Sequence, residues 1–292
     1  MNEKKIFLTI GGSDPSGGAG VQADIRTADR LKLYPCSVIT ELTAQNSSGV
    51  SSISSVDTSI VESQLKSVFS DFRPDAVKIG MVRSKETIEL LGEFLMKQET
   101  GNIVVDPVLS PTLADMIPEK DIVEAYSTYL FPIATLITPN IPEKDTIENY
   151  MGVNLENLCD AFLLKGGHLE NSNEVSDVLF VKTSESRGFA NSSAAFPTLN
   201  YNNSGLYDFG ASFTDIDNFN EGWEKYGYRH KRIISENTHG SGCVLSSAIA
   251  CYLALGYHLE KAVGLGIRFT TDALSTSAKY KITQGNYGPS MI

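Results

Sequence analysis

The chain has 292 residues, 41 % of them hydrophobic and 20 % charged, with a net charge of −11 from 24 basic and 35 acidic residues. That is the composition of a soluble globular protein able to build one large α/β core, and it has no apolar run near the ~18 residues of a membrane span. The acidic balance offers no basic patch for a nucleic-acid backbone, so a small-molecule partner is expected.

The first apolar run, residues 6–10, is too short for a signal h-region and reads as a strand, which places the protein in the cytoplasm. It leads into Gly11-Gly12-Ser13-Asp14-Pro15-Ser16-Gly17-Gly18-Ala19-Gly20 and a helix expected over 20–31. No Lys-Ser or Lys-Thr pair follows, so this is not a P-loop. Gly18-Ala19-Gly20-x-x-Ala23 fits the loose dinucleotide pattern, with Glu41 where a ribose-binding acid would stand. That fingerprint needs its glycines directly after the strand, and Gly11 to Gly17 intervene, so a Rossmann site is the weaker reading. A flexible loop is the plain alternative.

Short apolar runs then alternate with amphipathic stretches, the pattern of βαβ units around a mostly parallel sheet. Further strands are predicted at 37–42, 76–79, 103–105, 136–137, 162–164 and 178–181, and helices at 60–70, 85–97, 122–129, 242–255 and 259–280. Five polar segments fall just past strand ends: Thr40 to Asn46, Lys78-Ile79-Gly80-Met81, Val104-Val105-Asp106-Pro107-Val108, Thr138-Pro139-Asn140-Ile141-Pro142-Glu143 and Leu164-Lys165-Gly166-Gly167-His168. Open parallel sheets bind their ligands there. Singly, Asp106 or Glu143 reads as a loop-capping carboxylate; their recurrence at one sheet edge reads as a site.

From 183 to about 229 the alternation breaks into a Ser-, Asn-, Gly- and Asp-rich excursion with ten aromatics: Phe189, Phe196, Tyr201, Tyr207, Phe209, Phe213, Phe219, Trp223, Tyr226 and Tyr228. Disordered segments are poor in aromatics, so an ordered insertion is expected, serving either as a subunit interface or as a lid hinged at Gly188, Gly205 and Gly222. Otherwise the chain reads as one domain, without linker or repeat.

The last distinctive stretch, Asn237-Thr238-His239-Gly240-Ser241-Gly242-Cys243, opens a helix. Unpaired N–H groups and the helix dipole make such a turn a site for phosphate. Cys243 in the first turn is expected to favour the thiolate and to serve as base or nucleophile; the alternative is a buried packing residue. Cys36, Cys159, Cys243 and Cys251 form no C-x-x-C pair, so neither zinc nor a disulfide framework is indicated.

Taken together, the blocks at 12–20, Gln22-Ala23-Asp24, Ala44-Gln45-Asn46, Thr138-Pro139-Asn140 with Pro142-Glu143, Lys165 to His168, Asn237 to Cys243 and Gly288-Pro289 resemble the hydroxymethylpyrimidine/phosphomethylpyrimidine kinases of thiamine biosynthesis. These belong to the ribokinase-like superfamily, which also holds the pyridoxal kinases. The resemblance implies a three-layer α/β/α fold with a mostly parallel central sheet, commonly a homodimer, that uses ATP and Mg²⁺. The substrate it implies is 4-amino-5-hydroxymethyl-2-methylpyrimidine, and then its monophosphate. Asp24, Gln45 and Met81 would hold the pyrimidine, with Gly12, Ala19 and Val108 lining its pocket. Asp106 and Glu143 would organise Mg²⁺, and Asn140, Lys165, Thr238, Gly240 and Gly242 would hold the nucleotide. Lys165 would face the transferring phosphate, Gly240 to Cys243 would form the anion hole, and Cys243 would be the base. A pyridoxal or pyridoxine kinase is the alternative within the class, and a non-catalytic pyrimidine-binding regulator the alternative outside it.

The chain departs from the family pattern in three places. Leu109-Ser110-Pro111-Thr112 replaces a loop containing lysine and glycine. Between Glu143 and Phe162 there is room for one short helix where two are usual, and the 183–229 excursion exceeds the expected hairpin by roughly 30 residues.

Overall fold

The protein is described by a computed structural model covering residues 3–98, 100–109, 118–166, 174–183, 222–285 and 288–290. Nine strands form one sheet: β1 (Ile6–Ser13), β2 (Tyr34–Asn46), β3 (Gly49–Ser55), β4 (Ala76–Ile79), β5 (Ile103–Val105), β6 (Leu136–Ile137), β7 (Ala161–Leu164), β8 (Glu174–Lys182) and β9 (Trp223–Lys231). Their spatial order is β3-β2-β1-β4-β5-β6-β7-β8-β9. The six strands from β2 to β7 pair in parallel, and antiparallel hairpins finish both edges.

The central strands are near-continuous apolar runs because both faces are covered. Leu8, Val77, Val105, Ile137 and Phe162 point to one side, against α2 (Thr58–Asp71), α3 (Lys85–Lys97), α4 (Lys120–Ala125) and α5 (Ile141–Met151). Their neighbours Phe7, Ala76, Val104, Leu136 and Ala161 point to the other, where α6 (Ser241–Ala254) and α7 (Leu259–Ser277) supply Leu245, Ile249, Ala262 and Val263. The remaining helix, α1 (Gly20–Arg30), packs against α6 and β1. This is the expected three-layer α/β/α arrangement. None of the described helices is long and apolar enough to cross a membrane.

Several elements differ from the reading of the sequence. Strand β3 was not predicted, because Gly49-Val50-Ser51-Ser52-Ile53-Ser54-Ser55 has few apolar residues; it is an edge strand made by extending β2 into a hairpin. Helix α5 was also absent from the predicted set, although Asn140 and Glu143 form a reciprocal capping box at its start. It is the one short helix for which there was room, followed by a single 3₁₀ turn, Leu155–Asn157. Helix α4 ends at Ala125 and passes into a π turn, Tyr126–Leu130, so the predicted 122–129 helix is not continuous.

Strand β9 corrects the excursion's boundary. Residues 223–229 belong to the sheet, with Trp223 against the Phe162 ring at 5.8 Å and the Tyr228 hydroxyl donating to the Glu260 carbonyl of α7 at 2.8 Å. Aromatics and charges alternating along this strand hid its period. The seven aromatics from Phe189 to Phe219, and the hinges Gly188 and Gly205, lie outside the described residues.

Candidate active site

The C-terminal ends of the parallel strands open into a cavity of about 480 Å³. From the early strands come Gly12, Ala19, Gln45, Met81 and Val108. Asp106, Asn140, Glu143 and Lys165 line it too, with the turn Thr238, Gly240, Gly242 and Cys243. Every predicted site residue except Asp24 therefore lines one space.

An acid–lysine cluster forms its polar corner. The Lys165 ammonium donates to Asp106 Oδ1 at 2.9 Å and lies 3.8 Å from Glu143 Oε2. The Thr138 hydroxyl also donates to Asp106 (3.0 Å), and the Ser246 hydroxyl lies 3.3 Å from its other oxygen. Burial pushes the Asp106 carboxyl up, but the Lys165 and Lys78 ammonium groups outweigh it and hold the group below the ordinary carboxylate range. Glu143 goes the other way: burial, with the Asp106 charge added, raises it to about 7 against the pull of Lys165. Lys165 is held above its usual value by the two acids despite its own burial.

Two glycine loops interlock above this corner. Gly240 caps α6 at φ 78°, and a Cβ there would lie 1.8 Å from the Gly18 carbonyl oxygen. At Gly18 a Cβ would strike the His239 ring at 2.2 Å. Gly242 is different: a Cβ there would lie 3.7 Å from both Asp106 Oδ2 and Lys165 Nζ, ordinary contact distances. The first intrahelical bond of α6 is Val244 N–H to the Gly240 carbonyl, so the amides of Gly242 and Cys243 precede it, in residues that line the cavity, as donors suited to an anion. Gly240→Ala is expected to destabilise the fold by the strain of a left-handed residue and a backbone clash, on the order of 1–3 kcal/mol or more. Gly242→Ala is expected to leave the melting temperature unchanged while its methyl group crowds the corner and lowers turnover; calorimetry beside steady-state kinetics separates the two.

The phosphomethylpyrimidine kinase family model matches residues 14–200 and 210–290, nearly the whole chain. The chain belongs to the phosphomethylpyrimidine kinase family. It is 34 % identical over 255 residues to the hydroxymethylpyrimidine/phosphomethylpyrimidine kinase of Salmonella typhimurium, covering 83 % of this chain and 80 % of that protein. Against the thiamine biosynthesis bifunctional protein of Geobacter sulfurreducens it is 36 % identical over 91 % of its own length, and there it spans about half (48 %) of the relative. The crystal structure of phosphomethylpyrimidine kinase from Clostridium difficile superposes with a TM-score of 0.67 at 33 % identity, covering 93 % of this chain and all of that one.

Within this kinase family, two expectations about the site residues need correction. Asp24 does not reach the cavity. It is fully buried in α1, where its carboxylate accepts from Thr9 (2.6 Å), Ser247 (2.7 Å) and the Lys78 ammonium (2.9 and 3.1 Å). Those bonds use its acceptor sites, so Asp24 supports the site from beneath through Lys78, which does line the cavity. Nor is the Cys243 thiol poised as thiolate. Burial raises it to about 11, with Asp24 and Asp106 adding to the rise, against the pull of Lys78 and a hydrogen bond from the Gly20 amide. Position at a helix start predicts the opposite shift, but desolvation and two carboxylates outweigh it.

His239 was overlooked. Its Nε2 lies 2.8 Å from Asp14 Oδ2 and 3.0 Å from Gln45 Nε2, which ties the α6 turn to the β1–α1 loop and to β2. Glu41, a possible ribose-binding acid on the dinucleotide reading, is 1 % exposed and turned away from the cavity toward the loop after β4.

Proposed function

We propose that this protein is an ATP- and Mg²⁺-dependent kinase that phosphorylates the hydroxymethyl group of 4-amino-5-hydroxymethyl-2-methylpyrimidine, and then the resulting monophosphate. The carrying observation is that one cavity brings a polar amide and a thioether together with an acid–lysine corner and a glycine turn at a helix start. Gln45 offers both donor and acceptor to an aminopyrimidine edge, and Met81 a polarisable face. The same cavity is lined by Lys165, Gly242 and Cys243. The cavity is lined as well by Val175, Leu245, Ile267 and Leu274 and by Lys231 and Arg232, side chains suited to a flat base and its phosphates.

The donor set fits Mg²⁺. Among the described residues no group of three or more His, Cys, Asp or Glu could hold a metal, but Mg²⁺ needs only one or two carboxylates when phosphates complete its shell. Asp106 and Glu143 would be the two, and the Lys165 ammonium paired with both supports a cation in this space. When bound, the ion would neutralise charge on the phosphates. The chain's own part is to orient the alcohol, exclude water, and offer Lys165 and the α6 amides to the transferring group, which is most of what a loose phosphoryl transfer requires.

ADP release measured with the pyrimidine alcohol, its monophosphate and pyridoxal tests the reading. Turnover of the first two at far higher kcat/KM than pyridoxal is expected; preference for pyridoxal, or calorimetric binding of the pyrimidine without turnover, would overturn it. In the same assay Asp106→Asn and Glu143→Gln should each raise the Mg²⁺ concentration for half-maximal rate by about tenfold or more, since even outer-shell partners are worth 10–100-fold in metal affinity. Mg²⁺ titrations that overlay the wild type would make these carboxylates structural.

A further inference from the structure

Behind the Met81 wall lies a buried acid that no step above uses. Glu41 sits on β2 opposite Gly12 of β1. A Cβ on Gly12 would lie 2.8 Å from Met81 Cε and 3.6 Å from Glu41 Cβ, so the three residues are stacked at one spot. Glu41 Oε1 accepts the Arg83 amide at 2.7 Å. Its Oε2 lies 2.5 Å from the Thr40 hydroxyl, which in turn lies 2.8 Å from the Met81 carbonyl oxygen. Tyr126 holds the same loop from the far side: its hydroxyl donates to the Gly80 carbonyl (2.8 Å) and accepts from the Val82 amide (3.0 Å).

Counting protons decides the state of this chain of contacts. The Thr40 hydroxyl has one hydrogen, yet it stands between two acceptors, a carboxylate oxygen and a carbonyl. If Glu41 is ionised, one of the two contacts has no proton and a buried acceptor goes unpaired. If Glu41 is the neutral acid, its O–H donates to Thr40, Thr40 donates to the Met81 carbonyl, and both contacts are bonds.

We propose that Glu41 is a positioning residue, held as the neutral acid, that latches the Gly80–Arg83 loop through Thr40 and so sets the Met81 wall of the substrate cavity. Glu41 is raised to about 7, chiefly by burial, against the Thr40 and Arg83 hydrogen bonds and the Arg83 charge. The charged and titratable groups around it are Arg83, from the loop after β4, and the Tyr126 phenol, from the π turn; Gly12 and Ser13 of β1 and Ser55 of β3 carry no charge. The latch is therefore closed in acid and opens as pH rises through neutrality. This inference rests on the proposed pyrimidine site for its effect on KM, though not for the latch itself.

The sign also follows for stability. A carboxyl whose folded value lies above its unfolded 4.5 contributes stability that is complete below 4.5 and lost as pH rises to about 7. Glu41→Gln keeps both bonds at every pH, its amide N–H donating to Thr40 and its oxygen accepting from Arg83. The wild type should thus match Glu41→Gln in melting temperature at about pH 4 and fall increasingly below it up to about pH 7. Hydrogen exchange at Val82 and Arg83 should accelerate over the same range in the wild type beyond its intrinsic pH dependence, and not in the variant. For the pyrimidine alcohol, wild-type KM should rise about fivefold from pH 6 to 8, the worth of one net hydrogen bond, while Glu41→Gln stays level. Thr40→Val, which removes the relay, should show the raised KM at every pH.

A melting gap that does not change with pH, or a wild-type and Glu41→Gln pair with the same KM slope, overturns the proposal. Absence of kinase activity overturns the pyrimidine reading instead, and leaves melting and exchange to judge the latch.

Discussion

Replacing Cys243 with alanine is expected to lower kcat by about 10²- to 10⁴-fold, the usual worth of a positioned acid–base group, with KM for the pyrimidine alcohol almost unchanged. The thiol lies in the first turn of α6 beside the amides of Gly242, with the Gly20 amide donating to its sulfur. Because burial raises the group to about 11, the resting form at physiological pH is the neutral thiol, and a base role would run through the minor thiolate, whose S–H proton has first gone to solvent. The charge state can be read directly. Alkylation of Cys243, followed by peptide mass spectrometry, should climb about tenfold per pH unit from 7 to 10 without levelling, as a thiol titrating above that range must. A plateau at neutral pH would show a thiolate, and near-normal turnover in Cys243→Ala would assign the proton to another group.

The largest expected loss of stability belongs to Asp24. Its partner Lys78 is 1 % exposed and is held above its ordinary value by Asp24, Cys243 and Asp106 against the cost of burial. Asp24→Asn leaves that ammonium buried without its counter-ion, which costs about 3–5 kcal/mol, or a fall of roughly 10 °C or more in melting temperature. The double replacement Asp24→Leu with Lys78→Met should recover much of the loss, because removing both charges also removes the burial cost of each. A single variant that melts like the wild type but binds the pyrimidine poorly would return Asp24 to the role of direct ligand contact, as the family resemblance implied.

Much of this protein was legible along the chain. The alternation of apolar runs and amphipathic stretches specified βαβ units around a mostly parallel sheet, because a strand buried on both faces must be apolar throughout and each helix must bury one stripe; the three layers came from the family resemblance. The segments after the strands marked the site, because parallel strands in one sheet bring all their C-terminal ends to one edge. Glycine blocks such as Gly17-Gly18-Ala19-Gly20 and Gly240-Ser241-Gly242 carried the family, since close backbone approach needs residues without a Cβ.

What tertiary structure alone decided is the electrical state of the groups at that edge. Asp14 and His239 meet across 225 residues of sequence, and Asp24 turns inward because Lys78 and Ser247, from other elements, await it there. Cys243 is raised rather than lowered, and Glu143 and Glu41 are raised toward neutrality while Asp106 is depressed. Periodicity and local motifs carry no information on these shifts, because burial and the charges within a few ångströms set them, and both come from segments distant in the chain.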